Sequence, residues 1–451
     1  MASLVKVKKE VLERIKPSQQ EEEKLNKFLK RLMETARAIS KLDVVIVGSI
    51  GKFTWLSGDH DIDLFILFQK DVKREELEKK GLEYGKRIAS SLNGKWIIKY
   101  AEHPYVQIFS DNYAIDIVPC YKIEKNEKII SAVDRSPLHL SHVLKHLPPE
   151  KRDDVRLLKQ FMKGISVYSS DTKNLGFSGY VCEVLILKYK SFENVLKAAA
   201  KWKAGELIDN EKRKIDTMKK FPDQSLIVID PVDSNRNAAA IISPENFIKF
   251  VNASQKFLKS PDKKYFFPSP EKKLSKSEIT KLKKRGTKFI VLTFKKPDVV
   301  DDIVYPQARR ALKRLTNLLI HNEFYVLRSY EFIGKKIIFV FELETWELPE
   351  IQKMQGPPIF SKNSVDFLKK YASCRPYLSG NIWYADRLRE YKTAYALLNR
   401  FIKRDTKKLG DEGIPEKIVR EFSKAKIENA LKLINKNKEF SAFLRKKYFY
   451  D

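Results

Sequence analysis

The chain has 451 residues, with 88 Lys and Arg against 58 Asp and Glu and a formal net charge of +30. This length predicts two to four domains, and the positive charge favours a polyanionic partner, most simply a nucleic acid. Because no apolar run approaches the roughly 18 residues of a membrane-spanning helix, and the first residues lack a signal-peptide core, we expect a soluble, cytoplasmic protein with no membrane partner.

The first third of the chain predicts an α+β unit. An amphipathic helix is predicted over 21–41, and an apolar run that ends at Val47 predicts the first strand. A second, buried strand is predicted over 63–68, a helix over 73–91, and a β-hairpin over 101–118. We expect these elements to form a mixed sheet with helices on its faces.

Three aspartates in these strands predict a catalytic metal site. Asp61 and Asp63 stand at the start of the second strand, and residues two apart in a strand point to the same face. Asp116 interrupts a later apolar strand, where an ionised carboxylate is costly unless a cation or a donor balances it. Three carboxylates on adjacent strands can hold two Mg²⁺ ions against a nucleoside triphosphate. We therefore predict these three aspartates as catalytic residues and as metal ligands.

A glycine-serine turn follows the first strand. Gly48 and Gly51 relax this turn, so that backbone N–H groups can approach phosphate oxygens. Ser49 adds a hydroxyl donor and Lys52 adds a point charge, so both are predicted to contact the triphosphate. The turn lacks the Gly-x-x-x-x-Gly-Lys-Ser/Thr pattern of a Walker A loop. Together with the spaced aspartates, it indicates a nucleotidyltransferase site of the DNA polymerase β type.

Helical and α/β segments follow this head. Residues 151–258 are predicted to be mostly helical. A strand over 289–294, a helix from about 307 to 322, and strands over 325–330 and 336–344 come next. This β-α-β-β order predicts a small ferredoxin-like or RNA-recognition-like unit.

Beyond these local patterns, the chain resembles the archaeal, class I CCA-adding enzymes (CCA tRNA nucleotidyltransferases) over nearly its whole length. The glycine-serine turn and the spaced aspartates are common to a wider superfamily, so the segments outside the head discriminate between its members. The matching segments are Gly48-Ser49, Asp61-Ile62-Asp63, 131–139, 155–159, 176–183, 230–233, Arg236-Asn237 and 296–302.

The resemblance implies a reaction and a domain layout. These enzymes add C, C and A to tRNA 3′ ends without a nucleic-acid template, from CTP and ATP with Mg²⁺, and they are commonly homodimers. Their layout implies a nucleotidyltransferase head at 1–150, a helical neck at 151–260, a ferredoxin-like α/β body at 261–360 and a basic helical tail at 361–451. We expect the body and tail to bind tRNA.

The resemblance also implies roles for individual residues. Its metal carboxylates match the three aspartates, and its triphosphate-binding residues match Ser49 and Lys52. The family often has Arg where Lys52 stands, and a lysine cannot make the planar bidentate phosphate contact of an arginine. The further positions that match nucleotide-binding residues are His139, Lys159, Tyr168 and Arg236.

Two alternatives to this function remain. One is another polymerase β-like transferase, such as a poly(A) polymerase or an oligoadenylate synthetase. The other is a non-catalytic RNA-binding protein with a decayed head, against which the intact set of three aspartates argues. For Arg236 the sequence leaves open a contact to the base, a contact to phosphate, or a structural ion pair with Asp233.

Overall fold

The computed structural model of the protein describes residues 4–100, 102–124, 127–211 and 220–449. The chain divides into two compact units, Met1–Ser269 and Pro270–Asp451. Ala101, where the predicted hairpin begins, lies outside the described residues. Among the described residues, no helix has the length and apolar character that crossing a membrane requires.

A mixed five-stranded sheet forms the centre of the head, as predicted. Its order is β1-β2-β5-β4-β3, and only β2 and β5 run parallel. The strands are β1 (Asp43–Ile46), β2 (Asp61–Phe68), β3 (Lys95–Tyr100), β4 (Pro104–Ser110) and β5 (Tyr113–Tyr121). The helices of this region are α1 (Leu4–Ile15), α2 (Gln19–Ser40), α3 (Gly48–Gly51) and α4 (Arg74–Ser91). The predicted helices over 21–41 and 73–91 correspond to α2 and α4.

Two elements beside the strands that carry the three aspartates have clear local causes. Helix α2 begins where the Ser18 side chain accepts a hydrogen bond from the Glu21 backbone N–H, a typical N-cap. Asp111 and Asn112 form the turn between β4 and β5, with φ of 50° and 67°. Asp and Asn tolerate this left-handed conformation better than most residues, which favours the tight hairpin.

Among the residues that the structure describes, four neck helices and a small sheet complete the first unit. Helix α5 (Arg135–His146) leads into them. They are α6 (Arg152–Gly164), α7 (Gly179–Tyr189), α8 (Phe192–Ala199) and α9 (Pro244–Lys259), with β6 (Glu206–Ile208), β7 (Leu226–Asp230) and β8 (Asp233–Asn237). The sheet, in the order β6-β7-β8, was not predicted, because strands of three to five residues leave little periodicity in a sequence. Helix α1 packs into the apolar core of this neck.

The second unit contains the predicted ferredoxin-like body. Its antiparallel sheet has the order β10-β11-β9-β15, which places the first and third strands at the centre. The elements are β9 (Lys288–Lys295), α11 (Asp301–His321), β10 (Val326–Ile333), β11 (Lys336–Leu343) and β15 (Lys426–Glu428), preceded by α10 (Lys276–Lys283). Helix α11 begins six residues before the predicted start and contains Pro306, which removes a single backbone donor.

Residues 361–451 are mainly helical, as predicted, but they also contain strands that were not predicted. A second sheet, in the order β12-β14-β13, begins before residue 360 and continues beyond it. Its strands are β12 (Ile351–Pro358), β13 (Tyr377–Ser379) and β14 (Ile382–Leu388). The helices are α12 (Ser364–Lys370), α13 (Ala394–Ile402), α14 (Thr406–Asp411), α15 (Glu416–Phe422), α16 (Ala430–Lys436) and α17 (Lys438–Tyr448). The last two helices pack on the body sheet and complete its core.

Candidate active site

The three aspartates lie on the parallel strand pair at the centre of the head. Asp63 stands opposite Asp116 in the register, and Asp61 stands opposite Ala114. Burial and the nearby Asp116 and Asp61 charges raise the pKa of Asp63 to about 6. Burial also raises the pKa of Asp116, although Gln107 Nε2 donates a 2.7 Å hydrogen bond to its Oδ1. The carboxylates are thus close enough to repel one another.

The backbone of the glycine-serine turn lies directly against one of these carboxylates. Gly48 has a φ of +65°, and a Cβ built on it would overlap Asp63 Oδ2. The preceding residue, Val47, donates its backbone N–H to the Asp63 carbonyl at 2.9 Å. Ser49 and Gly51 follow within the single turn of α3. A side chain at position 48 is therefore incompatible with this approach of the turn to the carboxylate.

The chemistry of this donor set fits a divalent cation. Carboxylate oxygens are the ligands that Mg²⁺ prefers. A cation beside Asp63 and Asp116 would offset the cost of two buried negative charges, which is what raises the pKa values of these residues. Asp61, which is exposed, adds a third carboxylate on the solvent side. With the side chains in their present positions, the described residues contain no group of three or more His, Cys, Asp or Glu side chains that could hold a metal ion.

Lys52 and Lys159 meet at a buried glutamate. The Lys52 ammonium lies 2.8 Å from Glu183 Oε2, and the Lys159 ammonium lies 3.5 Å from Oε1. Thr54 Oγ1 donates to Oε1 at 2.7 Å and accepts from Lys159 Nζ at 2.9 Å. Burial raises the pKa of Glu183, but the two lysines outweigh burial and hold it below its usual value. Both predicted phosphate-binding lysines are thus committed to one carboxylate.

Tyr168 lies beside the same cluster. A Cβ built on Gly179 would come 2.9 Å from the Tyr168 hydroxyl and 3.3 Å from Lys159 Cε, so the glycine leaves both side chains their place. Lys163 Nζ lies 5.5 Å from the centre of the Tyr168 ring. Burial raises the pKa of Tyr168, which therefore stays protonated and can donate a hydrogen bond.

His139 and Arg236 meet at a second buried carboxylate, that of Asp230. His139 Nε2 lies 2.9 Å from Asp230 Oδ2, and Arg236 Nη1 donates to the same oxygen at 2.8 Å. Asp233, the partner considered from the sequence, instead accepts from Arg135 Nε at 2.9 Å. The structural ion pair of Arg236 therefore exists, but with a different aspartate.

Aromatic stacking joins the two carboxylate clusters. The Tyr180 ring stacks on His139 with 3.7 Å between ring centres, and the Lys52 ammonium lies 5.0 Å from its centre. Leu140, next to His139, reaches the turn, because a Cβ on Gly51 would lie 3.2 Å from Leu140 Cδ1. The predicted nucleotide-binding residues therefore form one connected set beside the glycine-serine turn.

A neck helix holds the loop that follows this turn. Arg156 on α6 donates to the backbone carbonyls of Phe53 at 2.8 Å and Trp55 at 2.9 Å. Lys159, one turn further on, donates to the Thr54 carbonyl at 3.1 Å. Phe53 has a φ of 58°, which is unusual for a bulky residue. The head and neck thus share this loop.

Sequence reasoning missed the two buried acids that organise the site. Glu183 lies in the apolar run of α7, and Asp230 ends the apolar strand β7. The signal that identified Asp116, a single acid in an apolar segment, was present at both positions. Arg156 gave no comparable signal, because an arginine on an amphipathic helix is usually solvated.

Three known protein families match successive parts of the chain. Residues 22–139 match the family described as nucleotidyltransferase domain. Residues 153–267 match the second domain of tRNA nucleotidyltransferase, and 285–426 match the C-terminal domain of CCA-adding enzyme. The matches cover the head, the neck and most of the second unit.

Curated relatives align over most of the chain. The CCA-adding enzyme of Methanocaldococcus jannaschii is 43% identical over 82% of this chain and 84% of its own length. That of Methanothermobacter thermautotrophicus is 36% identical over 96% of both chains. That of Methanosarcina mazei is 35% identical over 97% of this chain and 96% of its own. The protein therefore belongs to the CCA-adding enzymes, a family of tRNA nucleotidyltransferases whose nucleotidyltransferase domain implies dependence on a divalent metal ion.

Proposed function

We propose that the protein adds and repairs the 3′-terminal CCA of tRNA without a nucleic-acid template, using CTP and ATP and releasing pyrophosphate. The observation that carries the proposal is the cluster of three carboxylates against the Gly48–Gly51 turn, in a chain that aligns with CCA-adding enzymes over most of its length. Nucleotidyl transfer needs an in-line attack on the α-phosphate, with charge balanced at the entering and leaving oxygens. The three carboxylates beside the glycine-serine turn suit that requirement.

We assign Asp61, Asp63 and Asp116 as ligands of two Mg²⁺ ions. When bound, such ions neutralise charge on the triphosphate and activate the attacking hydroxyl. Asp61 and Asp63 project from one face of β2, so they would serve both ions. Asp116 lies across the strand pair and would orient the tRNA 3′-hydroxyl for attack.

The triphosphate would lie between the turn and the neck. Ser49 would donate its hydroxyl to a phosphate oxygen, and Tyr168 would donate its phenol to a phosphate or to the ribose. Lys52 and Lys159 would supply positive charge to the triphosphate. The ammonium group of at least one of them would then leave Glu183 and bind a phosphate instead. Glu183 would hold the two lysine ammonium groups in place until the nucleotide arrives.

His139 and Arg236 would lie against the base. Their positions beside Tyr180 place them on the neck side of the turn. An arginine that reads the base edge would favour CTP and ATP over UTP and GTP, whereas one that holds phosphate would not discriminate.

Two further parts of the proposal concern the cell and the assembly. The tRNA substrate would be processed in the cytoplasm, and the resemblance to the family implies a homodimer. The second unit would bind the tRNA backbone by shape and charge, because an A-form helix exposes phosphates and 2′-hydroxyls rather than readable base edges.

One incorporation assay tests the proposed function. The purified protein, Mg²⁺ and each nucleoside triphosphate alone would be incubated with tRNA ending before CCA, with tRNA ending in CC, and with oligo(A). We expect C on the first tRNA, A on the second, and no sustained extension of oligo(A). Extension of oligo(A) by many residues would instead indicate a poly(A) polymerase.

A further inference from the structure

The loop that leads into Asp61 is held by polar contacts more than by packing. Ser57 and Gly58 are exposed, and Asp59 and His60 are only partly buried. Gly58 has a φ of +81°, and a Cβ built on it would meet no atom within 4 Å. The path of this loop therefore depends on the hydrogen bonds and ion pairs that it makes with its neighbours.

Asp61 also stands where strand β2 is paired on one side. Strand β1 pairs with residues 64–67 of β2, so Asp61 lies beyond the end of β1. On the other side β5 pairs Ala114 with Asp61, and the Ala114 backbone N–H donates to the His60 carbonyl at 3.1 Å. Among the described strands, β5 alone fixes β2 at this position. The loop before Asp61 must supply the remaining support.

Glu21 on α2 supplies that support with both oxygens of its carboxylate. Its Oε1 accepts the Gly58 backbone N–H at 2.9 Å, and its Oε2 accepts the Ser57 hydroxyl at 2.9 Å. Burial raises the pKa of Glu21, but these hydrogen bonds outweigh burial and hold the pKa below its usual value. The side chain is therefore an ionised acceptor near pH 7, and hydrogen bonds to a charged acceptor are stronger than neutral ones.

The helix that carries Glu21 is a fixed part of the head. Leu25 and Phe28, one and two turns further along α2, lie in the core of the head. The other polar contact of the loop is the ion pair between Lys163 Nζ and Asp59 at 2.9 Å, whose side chains are 34% and 42% exposed. Such a solvated ion pair contributes little. Glu21 is thus the stronger of the two attachments.

We propose that Glu21 is a positioning residue for the proposed metal ligand Asp61: by holding Ser57 and Gly58 it fixes the start of β2, so that the Asp61 carboxylate can share a divalent ion with Asp63. This inference rests on the proposed function, because it assumes that Asp61 binds the ion. Residues that orient metal ligands from outside typically change metal affinity by about 10–100-fold when they are replaced.

The first experiment measures metal affinity without the reaction. Mn²⁺ is titrated into the full-length protein without nucleotide or tRNA, and the electron paramagnetic resonance signal of the free ion gives Kd. We expect Glu21→Ala to raise this Kd about tenfold. Glu21→Gln should stay within about threefold of the native Kd, because its amide oxygen can accept the Gly58 N–H and its NH₂ can donate to the Ser57 hydroxyl.

The matched control is Glu23→Ala on the same helix. Glu23 is an exposed acid that accepts a hydrogen bond from Gln19 at 3.0 Å, and its loss should leave the Mn²⁺ Kd unchanged. If Glu21 acted on the ion only by its negative charge, Glu21→Gln would weaken Mn²⁺ binding as much as Glu21→Ala does. That result would overturn the positioning role.

A double-mutant cycle tests whether Glu21 acts through Asp61. Asp61→Ala should itself weaken Mn²⁺ binding, because it removes a ligand. Adding Glu21→Ala to this variant should weaken binding no further, since a positioning residue then has nothing to position. If the two effects multiply instead, Glu21 acts independently of Asp61, and the inference is wrong.

A second measurement uses the reaction with tRNA ending before CCA. The Mg²⁺ concentration that gives half-maximal addition of C should rise about tenfold in Glu21→Ala, and kcat should recover at saturating Mg²⁺. A merely structural role would lower the melting temperature while the Mn²⁺ Kd and the Mg²⁺ requirement stay native, and that outcome would refute the inference. If native Mn²⁺ binding without nucleotide is too weak to measure, the Mg²⁺ requirement decides.

The remaining outcomes separate the inference from the proposed function. If Glu21→Ala does not fold, Ser57→Ala removes only the bond to Oε2 and should raise the Mn²⁺ Kd by about threefold, the size of one modest hydrogen bond. A native Kd in Ser57→Ala would then overturn the inference. If Asp61→Ala binds Mn²⁺ as tightly as the native protein, Asp61 is not a ligand and the inference falls. If the native protein binds Mn²⁺ but adds neither C nor A, the proposed function alone falls.

Discussion

At the scale of single residues, Gly48 joins the glycine-serine turn to the carboxylates that we propose as metal ligands. An alanine there would meet Asp63 Oδ2 and would also adopt an unfavourable positive φ. We expect Gly48→Ala to reduce incorporation at least about a hundredfold, because small displacements of catalytic groups have effects of that size. Gly205→Ala is the matched control, since Gly205 has a φ of +83° and open space around it. It should show the backbone penalty, about 1 kcal/mol, with near-native incorporation.

The three aspartates should separate by the step that they serve. We expect Asp61→Ala and Asp63→Ala to abolish incorporation while tRNA affinity stays within a few fold. Asp116→Asn should slow the single-turnover rate more than it weakens nucleotide binding, because Asp116 is assigned to the 3′-hydroxyl. Near-native turnover in Asp61→Ala or Asp63→Ala would refute the two-ion assignment. A loss of nucleotide affinity alone in Asp116→Asn would refute this division of roles.

At the scale of elements, helix α7 stabilises the head–neck contact through Glu183. Replacing Glu183 by a neutral residue leaves the Lys52 and Lys159 ammonium groups without their counter-ion in a buried site. We expect Glu183→Gln to lower the free energy of unfolding by about 3–5 kcal/mol and to raise KM for CTP and ATP. Glu342→Gln is the matched control, because Glu342 is a fully buried acid with an arginine partner, Arg285, in the second unit. It should lose stability without any change in nucleotide KM.

Glu183 also predicts how stability depends on pH. Its pKa is lower in the folded protein than the ordinary 4.5, so its stabilising effect is complete above about pH 4.5 and is lost as pH falls below that value towards the folded pKa. Urea unfolding of the native protein and of Glu183→Gln, between pH 7 and pH 3, measures the difference. We expect the gap between the two proteins to narrow as pH falls, and a constant gap would contradict the assignment.

The elements also show what a sequence can and cannot predict. The two strands that carry the aspartates were predictable, because Asp63 opens one continuous apolar run and Asp116 interrupts another. The acids at 183 and 230 carried a similar signal, but their meaning depends on partners such as Lys52 and His139, which lie 131 and 91 positions away in the chain. The neck sheet and the strands β13 and β15 are too short to carry periodicity, and only their pairing with other strands makes them recognisable.

At the scale of the whole molecule, charge is concentrated in the second unit. Residues 270–451 carry 40 Lys and Arg against 22 Asp and Glu, more than half of the net charge of +30 in fewer than half of the residues. We expect tRNA affinity to fall by about a thousandfold between about 50 and 200 mM salt, as phosphate contacts release counterions. A fragment of residues 1–269 should bind CTP and ATP but show a much shallower salt dependence with tRNA. An equally steep dependence in the fragment would place tRNA binding in the first unit.

The way in which the body sheet is completed has a consequence for the synthesis of the protein. Thr293 on β9 bonds to Glu428 on β15, 135 positions later, and the Leu274 backbone bonds to the Ser441 hydroxyl, 167 positions later. The ribosome must therefore release almost the entire chain before the second unit can close, whereas the first unit has all its strands within 269 residues. Since domains usually fold in the order of their emergence, the nucleotide site should form on the nascent chain before the body sheet is complete. A chain that ends early in the last thirty residues would have a finished nucleotide site in its first unit and an open sheet edge in its second. Such an edge is prone to aggregation and is a target for proteolysis.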